Sequence, residues 1–184
     1  MRRPLSVHSN LAIHHVCGVD ELHEAPLLAA HRIVSILDSN DPSPLALRSI
    51  AVPVLTLRFD DVIASPYGAA PTKAQIERLL EFDAAARDDE RLVVHCTAGI
   101  SRSTAALAVL LSARHPGRDD EIFAAIRQIR PRAWPNSLVV LLGDQVLGRR
   151  GALVAALGRH YEFQVAHPEL GPMFRMWARA GKMR

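Results

Sequence analysis

The stretch VVHCTAGISRST, residues 93–104, joins an apolar run to a cysteine, a short glycine-containing turn, and an arginine followed by two hydroxyls. Its flanks decide the fold. RLVVH, residues 91–95, predicts a strand apolar enough to lie inside a parallel sheet. From Arg102 to Ala113 the chain predicts a helix that carries Ala105, Ala106, Leu107, Val109, Leu110 and Leu111. A helix apolar nearly all round is a buried one. The quoted turn therefore connects the carboxyl end of a buried strand to the start of a buried helix.

Working outward, HRIVSIL (31–37) predicts a strand closed by the turn cluster DSNDPSP, and VPVLTLRF (52–59) a second strand ending at Asp60-Asp61. A Pro-, Gly- and Ala-rich loop, 64–71, follows. Thr72 with Gln75 forms a capping box ahead of Ile76, Leu79 and Leu80, which share one helical face. Downstream, His115-Pro116-Gly117 ends the buried helix. Asp119 or Asp120 is expected to cap the next, which Pro131 stops, and Asn136 to begin another, NSLVVLLGDQVL. Residues 151–180 read as helical, with breaks at His167-Pro168 and Gly171-Pro172. Strands and helices alternate early and helices dominate late. The expected class is α/β, a mostly parallel sheet flanked by helices with a helical C-terminal part, in one domain over 1–184. In such sheets ligands bind at the carboxyl ends of the strands, where Cys96 stands.

Bulk properties narrow the function. The chain has 184 residues, 49% of them apolar, so it can bury a core and is no disordered segment. Net charge is only +3, too weak a bias to argue for nucleic acid. The C-terminal end is the more basic part, which reads as a solvated surface. Two cysteines, Cys17 and Cys96, make no secreted disulfide framework, so a reducing, cytoplasmic setting is expected. Histidines and acids interrupt the first 24 residues before a signal peptide's apolar segment forms. No window reaches the ~18 apolar residues of a membrane span, so no membrane insertion is expected.

The turn after Cys96 has a definite chemistry. A loop entering a helix offers backbone N–H groups that no helical carbonyl satisfies, and with the helix dipole they form an anion site. Gly99 permits a turn that a side chain would block. Arg102 adds a planar fork that grips two oxygens of a phosphate. Thiols at a helix N-terminus beside a cation are stabilised as thiolates, and a thiolate beneath a bound phosphate is a nucleophile toward phosphorus. Ser103 is placed to hydrogen-bond that sulfur and ease its departure, and His95 is expected to order the loop rather than to donate a proton. Ester cleavage also needs an acid and then a base. Asp60 and Asp61 end the neighbouring strand, and a carboxylate on their loop can swing over the cradle.

HCTAGISRS, residues 95–103, resembles the HCxxGxxR(S/T) signature of cysteine-dependent protein tyrosine phosphatases, and AGISRS is most similar to the dual-specificity branch. WPNSLVVLLGD, 134–144, resembles that branch's Pro-Asn stretch, with Asn136 supporting the phosphate loop. The layout from about residue 18 to 150 is similar to a small group of predicted bacterial tyrosine phosphatases. Their Phe-x-Asp-Ile/Val pattern, FDDV here, favours Asp61 over Asp60 as the acid. The resemblance implies Cys96 as nucleophile and Arg102 as the group that binds phosphate and stabilises the transition state. It implies a cradle of amides from Thr97, Ala98, Gly99, Ile100, Ser101 and Arg102, with Ser103 assisting thiolate departure. Asp61 is then acid and base; no metal and no cofactor are implied. Residues 151–184 form an addition to the minimal family layout.

The substrate so implied is a phosphorylated protein or a small aryl phosphate, since the loop interior lacks the basic residues that accompany polyphosphorylated lipid headgroups. The Gly-Lys-Ser/Thr ending of phosphate-loop NTPases is absent. Low-molecular-weight tyrosine phosphatases place this loop near the N-terminus, with the acid downstream. Two alternatives remain: a phosphate-reading module without turnover, and another thiolate enzyme such as a sulfur transferase or arsenate reductase. The last requires further cysteines, and the sequence does not place Cys17 near Cys96.

Overall fold

The computed structural model describes residues 14–64, 69–87 and 89–167. Residues 65–68 of the proline- and glycine-rich loop, and the Pro168 and Gly171-Pro172 breaks, lie outside the described residues. Four strands form one all-parallel sheet in the order β1-β4-β2-β3: β1 His15–Gly18, β2 Arg32–Leu37, β3 Val54–Arg58 and β4 Leu92–Cys96. Five α-helices follow in sequence: α1 Lys73–Asp83, α2 Arg102–Arg114, α3 Asp119–Ile129, α4 Ser137–Val146 and α5 Ala152–Ala166.

The sheet is α/β and parallel, as the alternation predicts, and β4 lies in its interior between β1 and β2. The strand β1 is the addition: HVCG sits in a stretch that the sequence reading gives no secondary structure, yet it pairs along β4 from His15 opposite Val93 to Gly18 opposite Cys96. Interior strands of a parallel sheet are buried on both faces, and β4 is buried at every residue. The two polar interruptions of this interior, Ser35 and His95, are register partners, and His95 Nε2 lies 2.8 Å from Ser35 Oγ. The two bond to each other across the strands, which partners His95 Nε2 and the Ser35 hydroxyl.

Strand alternation sorts the core into two clusters. Val16, Val34, Val94 and Cys96 face a large cluster to which all five helices contribute, including Leu79, Leu107, Phe123, Val139 and Leu157. Cys17, Ile33 and Val93 face a smaller one with Leu22 and Leu27, covered by short 3-10 turns rather than by helices. The α2 helix runs through the large cluster, buried at every residue from Arg102 to Ser112. It approaches α4 closely at Gly143, where an added Cβ would stand 2.3 Å from a Val109 methyl. The α1 capping box is present: Thr72 and Gln75 exchange side-chain and backbone bonds, and Gln75 Nε2 also donates to Arg58 O at the end of β3.

The α3 cap differs from expectation. Its N-cap is Arg118, without a side-chain cap bond, and both aspartates lie in the first helical turn. Asp119 instead accepts from Ser112 Oγ at 2.7 Å and Arg149 Nη2 at 2.8 Å, while Asp120 holds Arg159. Carboxylates there favour the positive end of the helix dipole without capping it. Among the described residues no helix is long and apolar enough to cross a membrane.

Candidate active site

The carboxyl ends of β2, β3 and β4 meet at one cavity of about 480 Å³. Its floor is the loop between Cys96 and Arg102. That loop's conformation follows from where its carbonyls go. Thr97 O accepts from Val19 N at 3.1 Å, and Ala98 O from Arg130 Nη2 at 3.0 Å. Ile100 O accepts from Trp134 N at 2.8 Å, and Ser101 O from Asn136 N at 3.2 Å. In a trans peptide the next residue's N–H points opposite to the carbonyl. With four carbonyls held outward, the amides of Ala98, Gly99, Ser101 and Arg102 are turned inward. One of them, Gly99 N–H, reaches Cys96 Sγ at 3.2 Å.

Gly99 is required twice over. Its φ is +67°, and a Cβ there would stand 2.3 Å from the Cys17 carbonyl carbon. The loop from Cys96 to Arg102 thus rests directly on the backbone of β1, the strand that sequence reading passes over. Cys17 is therefore next to the loop, contrary to the expectation that nothing places it near Cys96. It faces the smaller core cluster, however, while Cys96 faces the larger. Burial pushes its thiol up to about 12.

The Cys96 sulfur is buried and lies 3.2 Å from Ser103 Oγ, so the hydroxyl and the Gly99 amide converge on it. His95 stays neutral above pH about 4, a value lowered chiefly by its burial. Arg102 is also buried. Its Nη1 donates to Phe59 O at 2.7 Å and to Asp38 Oδ1 at 2.5 Å, and its Nη2 to Thr97 Oγ1 at 2.8 Å. Asp38 is a site residue that sequence reading missed, because it opens a turn cluster whose acids have an ordinary explanation in chain reversal. The available signal was its place at the carboxyl end of the strand beside β4.

The two aspartates after β3 part company. Asp60 turns back: Oδ1 accepts from Ser39 N at 3.0 Å and Ser39 Oγ at 2.9 Å, and Oδ2 from Ala69 N at 2.8 Å. The Ser39 backbone N–H, then that of Ala69, hold its carboxyl below the usual carboxylate range. Asp61 turns toward the cradle and is exposed. Its Oδ1 accepts from Ser101 Oγ at 2.7 Å and from Asn136 Nδ2 at 2.8 Å. Asn136 joins three parts: its N–H holds Ser101 O, its amide nitrogen holds Asp61, and its Oδ1 caps α4 through Leu138 N and Val139 N.

Helix α5 braces this arrangement from behind. His160 Nε2 and Gln164 Nε2 lie 3.0 and 2.7 Å from Ala133 O, Tyr161 OH donates to Pro135 O, and the Tyr161 ring stacks on Trp134. Residues 133–136, whose amides hold two carbonyls of the Cys96–Arg102 loop, are thereby fixed on both sides. Arg130 is a second residue that sequence reading missed; it bridges Ala98 O and Glu21.

Comparison with solved structures gives this architecture a class. The chain has the fold of the tyrosine and dual-specificity phosphatases. It superimposes on the human tyrosine phosphatase-like serine/threonine/tyrosine-interacting protein with a TM-score of 0.59 and 20% identity, over 78% of this chain and 96% of that one. It matches human DUSP28 with a TM-score of 0.56 and 21% identity, over 76% and 94%. It matches the active form of Tk-PTP with a TM-score of 0.54 and 20% identity, over 73% and 89%. No family model and no curated protein matches the chain by sequence.

Proposed function

We propose that the chain is a phosphoric monoester hydrolase, a protein tyrosine or dual-specificity phosphatase that works through a cysteinyl-phosphate intermediate. The observation that carries this is the convergence of Cys96 Sγ, the inward amides and Arg102 on one cavity floor, with the Asp61 carboxylate at its mouth.

In the first step the thiolate of Cys96 attacks phosphorus, the S–P bond forms, and the bond to the leaving oxygen breaks. The loop amides and the Arg102 fork stabilise the equatorial oxygens, where charge accumulates. Asp61, protonated, gives its proton to the leaving oxygen through Oδ2, since Oδ1 is occupied by Ser101 and Asn136. In the second step Asp61, now ionised, takes a proton from water as that water attacks phosphorus. The sulfur leaves as thiolate, received by the Ser103 hydroxyl and the Gly99 amide. Asp60 is poorly suited to the acid role: both of its oxygens are taken by Ser39 and Ala69, away from the cradle.

The cavity lining also bears on substrate. Among the described residues Arg102 is its one cationic residue, against the carboxylates of Asp38, Asp60 and Asp61. A lining of that balance suits a single phosphoryl group on a protein side chain or small aryl alcohol, and opposes further phosphates beside it.

The test is hydrolysis of p-nitrophenyl phosphate at pH 5–8 with EDTA present, by wild type and Cys96→Ser. Turnover in wild type that disappears in the variant, with vanadate binding retained, is the expected result. A folded wild type that binds vanadate without turnover would instead make the chain a phosphate-reading module.

A further inference from the structure

Asp38 sits at the carboxyl end of β2, and its carboxylate is the one charged partner of Arg102 among the described residues. We infer that Asp38 is a positioning residue for Arg102, holding the guanidinium so that its Nε–Nη2 edge faces the phosphate. This rests on the phosphatase reading of the site.

A guanidinium can grip a tetrahedral anion along the Nε–Nη2 edge or along the Nη1–Nη2 edge. In Arg102 the second edge is spent. Nη1 donates to Asp38 Oδ1 and to Phe59 O. Nη2 uses one N–H on Thr97 Oγ1 and keeps another. Nε is buried and has no hydrogen-bond partner. A buried, unpartnered donor on a cation is costly unless a ligand completes it. The edge left incomplete is therefore the edge offered to the oxyanion, and the contacts that choose it are those at Nη1. Phe59 O is a backbone acceptor fixed by β3. Asp38 is the side-chain contact, and it adds the charge that a buried guanidinium otherwise lacks.

The turn that carries Asp38 is itself anchored. Arg58 Nη1 donates to Asp41 O at 2.6 Å, and Asp41 N to Asp38 O at 3.2 Å. The next residue, Ser39, grips Asp60 through its N–H and hydroxyl. One turn thus fixes the arginine directly and the acid-bearing loop through Asp60. Because Asp38 bonds an edge that the phosphate does not need, its contact persists when the site is filled. An anion that merely occupied the empty site would bond the Nε edge instead.

The two roles predict opposite signs. Asp38→Ala is expected to lower kcat/KM on p-nitrophenyl phosphate by roughly 10²-fold, the scale of a misplaced catalytic group. It is expected to weaken vanadate inhibition in parallel, measured on the folded variant below its melting transition, which falls because a buried guanidinium loses its charged partner. Asp38→Asn keeps an oxygen acceptor for Nη1 and is expected to recover most of the loss. In an Arg102→Lys background Asp38→Ala is expected to add little, because the group it positions is gone. Unchanged kcat/KM and vanadate affinity in Asp38→Ala would overturn the inference, and tightened vanadate binding would show Asp38 to be a competing anion. If wild type binds vanadate without turnover, the hydrolase reading fails alone, and the vanadate affinities of the two Asp38 variants still decide this one.

Discussion

Two adjacent aspartates, alike in sequence, differ in what surrounds them, and that difference is testable. Asp61→Ala is expected to slow hydrolysis of alkyl and unactivated aryl phosphates by 10²–10⁴-fold, the usual worth of a positioned acid. Esters whose leaving group departs unaided should be affected much less. Asp60→Ala removes the carboxylate that binds Ser39 and Ala69. Its loss should lower turnover for all leaving groups alike. A plot of rate against leaving-group pKa separates the two, and a steepened slope for Asp60→Ala would reverse the assignment. The sequence distinguishes this pair only through the resemblance of FDDV to a family pattern. Residue types alone leave it open, because the deciding partners, Asn136 and Ser39, lie far along the chain. Asp38 was illegible for the same reason: its partner is 64 positions away.

At the level of elements, the strongest dependence is of the Asp61 loop on the start of α4. Asn136→Ala deletes an N-cap, at a cost of about 1 kcal/mol. It also releases Asp61 and Val62, which its Nδ2 holds. A fall in melting temperature should accompany a loss of turnover on poor leaving groups, whereas Asn136→Asp, which keeps the cap oxygen, should restore stability but not the rate. Retained rate in both variants would show that Asp61 needs no such tether. The helices and three of the four strands were legible because each carries its own period, cap or breaker. The fourth, β1, was not: four residues leave no room for a pattern, and HVCG becomes a strand only because β4 offers it an edge. The α3 start misled for a related reason, since Asp119 finds tertiary partners in Ser112 and Arg149 that a local rule cannot foresee.

At the scale of the molecule, three buried histidines among the described residues contribute to the response to acid. Burial first, aided in each case by nearby arginine charge, brings His14, His95 and His160 down to about 4. The unfolded chain takes up these protons near the ordinary value of 6.5, and the folded chain does not until about pH 4. Between those values the unfolded state binds more protons, so stability falls as pH is lowered through the window. Above 6.5 these groups contribute no slope. Urea midpoints measured from pH 7.5 down to 4.5 are expected to be flat at first and then to drop. Replacing His160 with Gln is expected to reduce the drop, although the loss of its contacts lowers the midpoint throughout. A flat profile to pH 4.5 would contradict neutral burial of the three.

The parallel sheet has one more consequence. Every connection between its strands is a crossover, and the cradle draws on Gly18, Asp38, Asp61, Cys96 and Asn136, spread over most of the described chain. Contacts so distant in sequence form late, because each must first overcome the entropy of closing a long loop. A nascent chain still awaiting its last helices lacks the Trp134 and Asn136 contacts that turn two of the loop carbonyls outward. On the phosphatase reading proposed above, the surroundings of Cys96 are complete only when the fold is, and the emerging polypeptide lacks the assembled site during synthesis.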